Sequence, residues 1–69
     1  MPNTYIITNR SSLEPIFLFA QQRDLSMYKT RVSKGNIQWV IEVPPGKILT
    51  RFLLEYANSV ERIASVYVY

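Results

Sequence analysis

Apolar residues recur every second position in some stretches of the chain and every third or fourth in others, and the switches between the two periods mark out its elements. Thr4-Tyr5-Ile6-Ile7-Thr8 is a β-branched and aromatic run, and Asn9-Arg10-Ser11-Ser12 after it reads as a turn. Leu13, Ile16, Phe17 and Ala20 then fall on one helical face. Ser11 and Ser12 are both suited to cap that helix. With Ser12 as the cap, Pro15 takes the third helical position, where a missing N–H removes no intrahelical bond. The spacing of Ser11 and Glu14 fits a capping box instead, so the choice stays open, with Ser12 preferred. Gln21-Gln22-Arg23-Asp24 ends the helix.

From Leu25 to Val32 polar and apolar positions alternate, Tyr28, Thr30 and Val32 on one face and Lys29 and Arg31 on the other. After a turn at Ser33-Lys34-Gly35-Asn36, the residues Ile37, Trp39, Ile41 and Val43 alternate with Gln38, Val40 and Glu42, which predicts a hairpin. Pro44-Pro45-Gly46 stops its second strand. A second helix is expected from about Lys47, with Leu49, Phe52, Leu53, Tyr56 and Val60 as its apolar stripe. Ala64-Ser65-Val66-Tyr67-Val68-Tyr69 reads as a closing strand. The order β-α-β-β-α-β predicts an α+β domain over residues 1–69, a ferredoxin-like four-stranded antiparallel sheet with both helices on one face.

Such a sheet has a second face that is wet or docked. Tyr5, Ile7, Val40, Tyr67 and Tyr69 are candidates for that face or for an edge, and Trp39 for the core under the helices. Leu18 and Phe19 lie off the stripe of the first helix and Leu54 off that of the second, which reads as a partner surface or as single exposed apolar residues. Phe19, Tyr67 and Tyr69 are the preferred interface residues.

Composition narrows the chemistry. The chain of 69 residues has no cysteine and no histidine, so a disulfide framework, a thiolate nucleophile and the commonest metal ligand and general base are excluded. Glu14, Asp24, Glu42, Glu55 and Glu61 are dispersed, and Ser11 and Ser12 have no base to activate them, so neither a catalytic site nor a metal is expected. No Gly-rich loop cradles a phosphate or dinucleotide, so no cofactor is expected either. Eight Lys and Arg stand against five Asp and Glu, a surplus that permits nucleic acid or an acidic partner, but the basic residues are scattered as on a solvated surface. No window approaches the roughly 18 apolar residues of a membrane span, and the N-terminus does not look like a secretory signal, so a cytoplasmic location is expected. A core this small supplies roughly 3–5 kcal/mol at most, which makes self-association an expected stabiliser.

The strand, the Asn-containing turn, the capped helix and the return strand together resemble the start of an ACT domain. The run Asn9-Arg10-Ser11-Ser12-Leu13-Glu14-Pro15-Ile16 through Arg23-Asp24-Leu25-Ser26-Met27 is similar to the same region of the small regulatory subunits of acetohydroxyacid synthase (acetolactate synthase), those of isozyme II above all. The strand Ile37–Val43 and the closing stretch from Leu53 to Val66 fit the same diffuse pattern. The resemblance implies a noncatalytic subunit in branched-chain amino-acid biosynthesis that forms a homodimer and activates or stabilises a large catalytic subunit. That larger chain would carry thiamine diphosphate, Mg²⁺ and FAD, and this one none of them. The resemblance also implies a branched-chain amino-acid effector at a turn here formed by Asn9, Ser12 and Leu13. Ser12 stands where effector-binding ACT domains commonly have Gly, and Ser26 where they often have Asn, which favours a purely activating subunit. Asn9 suits ligand contact and an Asx turn equally.

The rival reading is a module that binds single-stranded RNA, because RNA-recognition domains share the element order and stack bases on the open sheet face. Lys34-Gly35 and Tyr5-Ile6-Ile7-Thr8-Asn9 loosely match their strand motifs, but Asn36 and Gln38 stand where stacking rings belong.

Overall fold

A computed structural model of the chain describes residues 3–31 and 36–63. Strands β1 (Asn3–Ile7), β2 (Met27–Arg31), β3 (Ile37–Val43) and β4 (Val60–Ile63), with helices α1 (Leu13–Arg23) and α2 (Lys47–Tyr56), follow the predicted order. Every neighbouring pair in the sheet is antiparallel, and the spatial order is β2-β3-β1-β4. This is the ferredoxin-like α+β arrangement: α1 carries the chain from β1 to a parallel β2, and β3 returns between the two.

Cross-strand partners share a face, so the register sorts the side chains. Tyr5, Ile7, Met27, Trp39, Ile41, Val43 and Val60 point to the helices, where Ile16, Phe19, Ala20 and Phe52 meet them. Phe52 is the hub of that core. Its ring centroid lies 5.6 Å from Tyr5, 5.5 Å from Phe19 and 5.5 Å from Tyr56, all in tilted geometries that favour aromatic pairs. Tyr5 and Ile7 are therefore buried under the helices and do not occupy the open face or an edge.

Phe19 is likewise in the core and not on an interface. Helix α1 packs through Ile16, Phe19 and Ala20, and leaves Phe17 48% exposed, a rotation of the face expected from the spacing of Leu13, Ile16, Phe17 and Ala20. The stretch Leu13 to Ala20 is apolar nearly all the way round, so its own periodicity does not select a face. Phe52 and Tyr56 decide it by offering Phe19 a socket, and the Arg23 guanidinium closes over the Phe19 ring at 4.0 Å.

The ends of the elements have local causes. Asp24 adopts a left-handed conformation (φ 57°), and the Asp24 and Leu25 N–H groups turn back to the Gln21 and Ala20 carbonyls. This Schellman closure ends α1 and delays β2 to Met27. Helix α2 stops at Tyr56, a 3₁₀ turn spans Ala57–Ser59, and Val60 belongs to β4 rather than to the helical stripe. β4 thus starts four residues ahead of the expected Ala64, and the expected strand over 64–69 lies outside the described residues. Tyr67 and Tyr69 lie outside the described residues, as do Ser33, Lys34 and Gly35 of the expected turn.

The face away from the helices carries Thr4, Ile6, Tyr28, Thr30, Gln38, Val40, Glu42, Glu61 and Ile63. Val40 is buried there, with Ile6 and Tyr28 as its cross-strand neighbours. The Tyr28 hydroxyl donates to a Glu42 carboxylate oxygen at 2.6 Å, a diagonal reach that lays the ring along the sheet. That bond first, then burial and the Glu42 charge, pushes the Tyr28 phenol up to about 12. The folded phenol holds its proton more tightly than the unfolded one, which titrates near 10. Its stabilisation is whole below about pH 10 and fades as the pH rises toward about 12. Tyr28→Phe is expected to lower stability by about 1 kcal/mol at pH 7 and to flatten the alkaline loss. Thermal melts of both proteins between pH 7 and 12 check this, and parallel alkaline curves would refute it.

Candidate functional site

The β1–α1 connection is built by its own hydrogen bonds. The Asn9 Oδ1 accepts from the Ser11 N–H at 3.1 Å and from the Ser11 hydroxyl at 2.7 Å, capping a 3₁₀ turn at Arg10–Ser12. Ser12 begins α1 but makes no side-chain cap bond; its hydroxyl instead pairs with that of Ser59 at 2.7 Å. The Thr8 and Asn9 N–H groups both donate to the Ser59 carbonyl, at 2.8 and 3.2 Å. The loop is thereby tied to the end of the second helical segment.

The three expected ligand residues do come together in this turn, with different roles. Asn9 and Ser12 are engaged in holding the loop. Leu13 alone lines a cleft, a cavity of about 590 Å³ between this turn and the exposed end of the β2–β3 pair. That volume falls in the range of small-molecule sites. Among the described residues its apolar lining is Ile7, Leu13, Ile37 and Trp39, and its charged lining is Arg10 and Lys29. Thr8, Asn36 and Gln38 add neutral polar groups.

Arg10, Lys29 and Ile37 were not legible as site residues in the sequence, although a signal was present. Lys29 and Arg31 alternate with Met27, so they share its helix-facing side, opposite Trp39 and Ile37 in the register. Both are exposed on the edge strand β2, in keeping with a solvated surface. In the fold, α1 does not cover this end of the sheet, and the Lys29 ammonium sits 5.2 Å from the centre of the half-buried Trp39 ring. Ile37, 64% exposed, forms the lip.

A second apolar feature lies on the outer side of the helices. Phe17 and Leu18 of α1 are each 48% exposed and Leu54 of α2 is 82% exposed, Leu54 in a shallow groove with Lys47 and Arg51. On the opposite side of the sheet, Tyr28 is the one aromatic residue among the described ones; Glu42 is hydrogen-bonded to it, and Glu61 lies on the same face at the far edge, on β4. Two carboxylates and a ring held by hydrogen bonding make a poor platform for phosphate-linked bases.

Among the described residues no three acidic, cysteine or histidine side chains group as a metal site, and no helix is long and apolar enough to cross a membrane. Set against known protein families, curated proteins and solved structures, the chain matched none of them.

Proposed function

We propose that this chain is a noncatalytic accessory subunit of the kind found in acetohydroxyacid synthase, acting in the cytoplasm as a homodimer that docks on a larger catalytic chain. The observation that carries the proposal is the exposure of the apolar side chains Phe17, Leu18 and Leu54 on helices whose inner faces are already filled. A domain of this size gains stability when that surface is covered, and the basic Lys47 and Arg51 beside Leu54 suit an acidic rim on the partner. The ferredoxin-like order and the Asn9 turn agree with the ACT resemblance. The engagement of Asn9 and Ser12 within the loop supports an activating subunit over one that captures a free amino acid. Activation requires that docking favour the active state of the catalytic chain over its inactive state, since equal affinity for both shifts nothing.

The test mixes the purified chain with the large acetohydroxyacid synthase subunit of the same organism. Complex formation by size exclusion and faster acetolactate production are expected. Leu54→Lys, at a position that takes no part in the core, is expected to leave the melting curve unchanged and to weaken the complex by about tenfold or more, since burying a leucine contributes about 1.5–3 kcal/mol. Absence of any complex would overturn the accessory-subunit reading, and a complex with unchanged activity would overturn activation.

A further inference from the structure

We infer that the cleft between the β1–α1 turn and the β2–β3 end binds a small branched aliphatic carboxylate that lacks an ammonium group. This rests on the cleft alone and is independent of the accessory-subunit reading.

Charge selects the anion. Arg10 and Lys29 both line the cleft, and none of the five carboxylate residues of the chain does. Arg31 continues the same helix-facing side of β2 one register step beyond Lys29. That side carries core residues elsewhere, as at Met27 opposite Ile41, so its cations gather where the helix layer leaves the sheet open. A guanidinium and an ammonium together suit a carboxylate, the first by its fork and the second as a point charge. An α-ammonium would meet repulsion and, among the described residues, no counter-charge, which disfavours a zwitterionic amino acid of the same shape.

The walls select the body. Ile7 and Trp39 form the floor, with Leu13 to one side and Ile37 at the lip. Lys29 already sits over the Trp39 ring, so the indole face is not free to stack on an aromatic ligand. Branched aliphatic surface is what the isoleucine and leucine walls accept, and covering the exposed Ile37 adds hydrophobic gain. Inorganic phosphate satisfies the cations but leaves these walls unused.

The experiment titrates the full chain, labelled with ¹⁵N, with 4-methylpentanoate and follows the Trp39 indole N–H and the Leu13 and Ile37 amides. Leucine, acetate and inorganic phosphate are run in parallel. Saturable shifts with 4-methylpentanoate are expected, with each of the other three at least about tenfold weaker. Arg10→Gln and Lys29→Gln, both at exposed positions outside the core, are expected to weaken binding about three- to tenfold each without changing the melting curve. Ile37→Glu, which places a like charge at the lip, is expected to abolish it. No saturable shift with 4-methylpentanoate, or equal affinity for leucine, acetate or phosphate, would overturn the inference, as would unchanged binding in both charge variants.

Discussion

Phe52→Ala is expected to leave the chain without a cooperative thermal unfolding transition at 25 °C and above. Phe52 is fully buried and touches aromatic rings from β1, α1 and its own helix, so its removal takes away contacts that join three elements at once. Truncating a buried phenylalanine costs about 3–5 kcal/mol. A domain of this size holds about that much in total, so the variant sits at or beyond the unfolding midpoint. Phe52→Leu keeps most of the volume and is expected to cost about 1.5 kcal/mol, a melting temperature lowered by roughly 6–12 °C with the transition intact. Phe17→Ala serves as the contrast. Its ring is half exposed, and a loss below about 1 kcal/mol is expected. Circular dichroism melts decide the matter: if Phe17→Ala proves as damaging as Phe52→Ala, the face on which α1 packs has been assigned to the wrong residues.

That assignment shows where sequence reading succeeds and where it stops. Strand β3 was legible to the residue, because Ile37, Trp39, Ile41 and Val43 alternate cleanly and Pro44-Pro45-Gly46 bounds them. The element order followed from such local signals. Phe19 was misplaced because α1 is apolar on several sides, and the choice among them belongs to Phe52 and Tyr56, more than thirty residues away. Val60 was drawn into the second helix because a valine at the right spacing looks the same at the start of a strand. The link of Ser59 to Thr8, Asn9 and Ser12 is what ends the helical segment, and no local pattern announces it. The cleft was hidden for the same reason. Asn9 does sit in a turn, yet the groups that line the cleft beside it include Arg10, Lys29 and Ile37, which meet only once β2 and β3 pair in register below the end of α1. Lys29 is an exposed residue of the edge strand β2, as its sequence context suggests, and only the register shows that it shares the helix-facing side with Met27.

Gly46→Ala is expected to destabilise the chain by about 1–3 kcal/mol, although the added methyl group meets nothing within 4 Å. The reason is in the backbone alone. Gly46 sits before the first residue of α2 at φ 112° and ψ −149°, a region that only glycine enters without strain. The Pro44-Pro45 pair leads into this residue, and its carbonyl then accepts from the Thr50 N–H at 3.0 Å and from the Thr50 hydroxyl at 3.1 Å. Helix α2 has no side-chain cap bond at this end, so the conformation of Gly46 is what starts the helix that carries Phe52. An L-alanine must either bear the strain or rotate φ and release the first turn. A chain made by chemical synthesis with D-alanine at position 46 separates strain from crowding, because the mirror-image residue finds φ near +112° comfortable. It is expected to melt at or above the temperature of the parent, by up to about 1 kcal/mol of added stability from the stiffened unfolded chain. Equal destabilisation by both enantiomers would mean that the methyl group itself is excluded and that the positive φ is not what glycine supplies here.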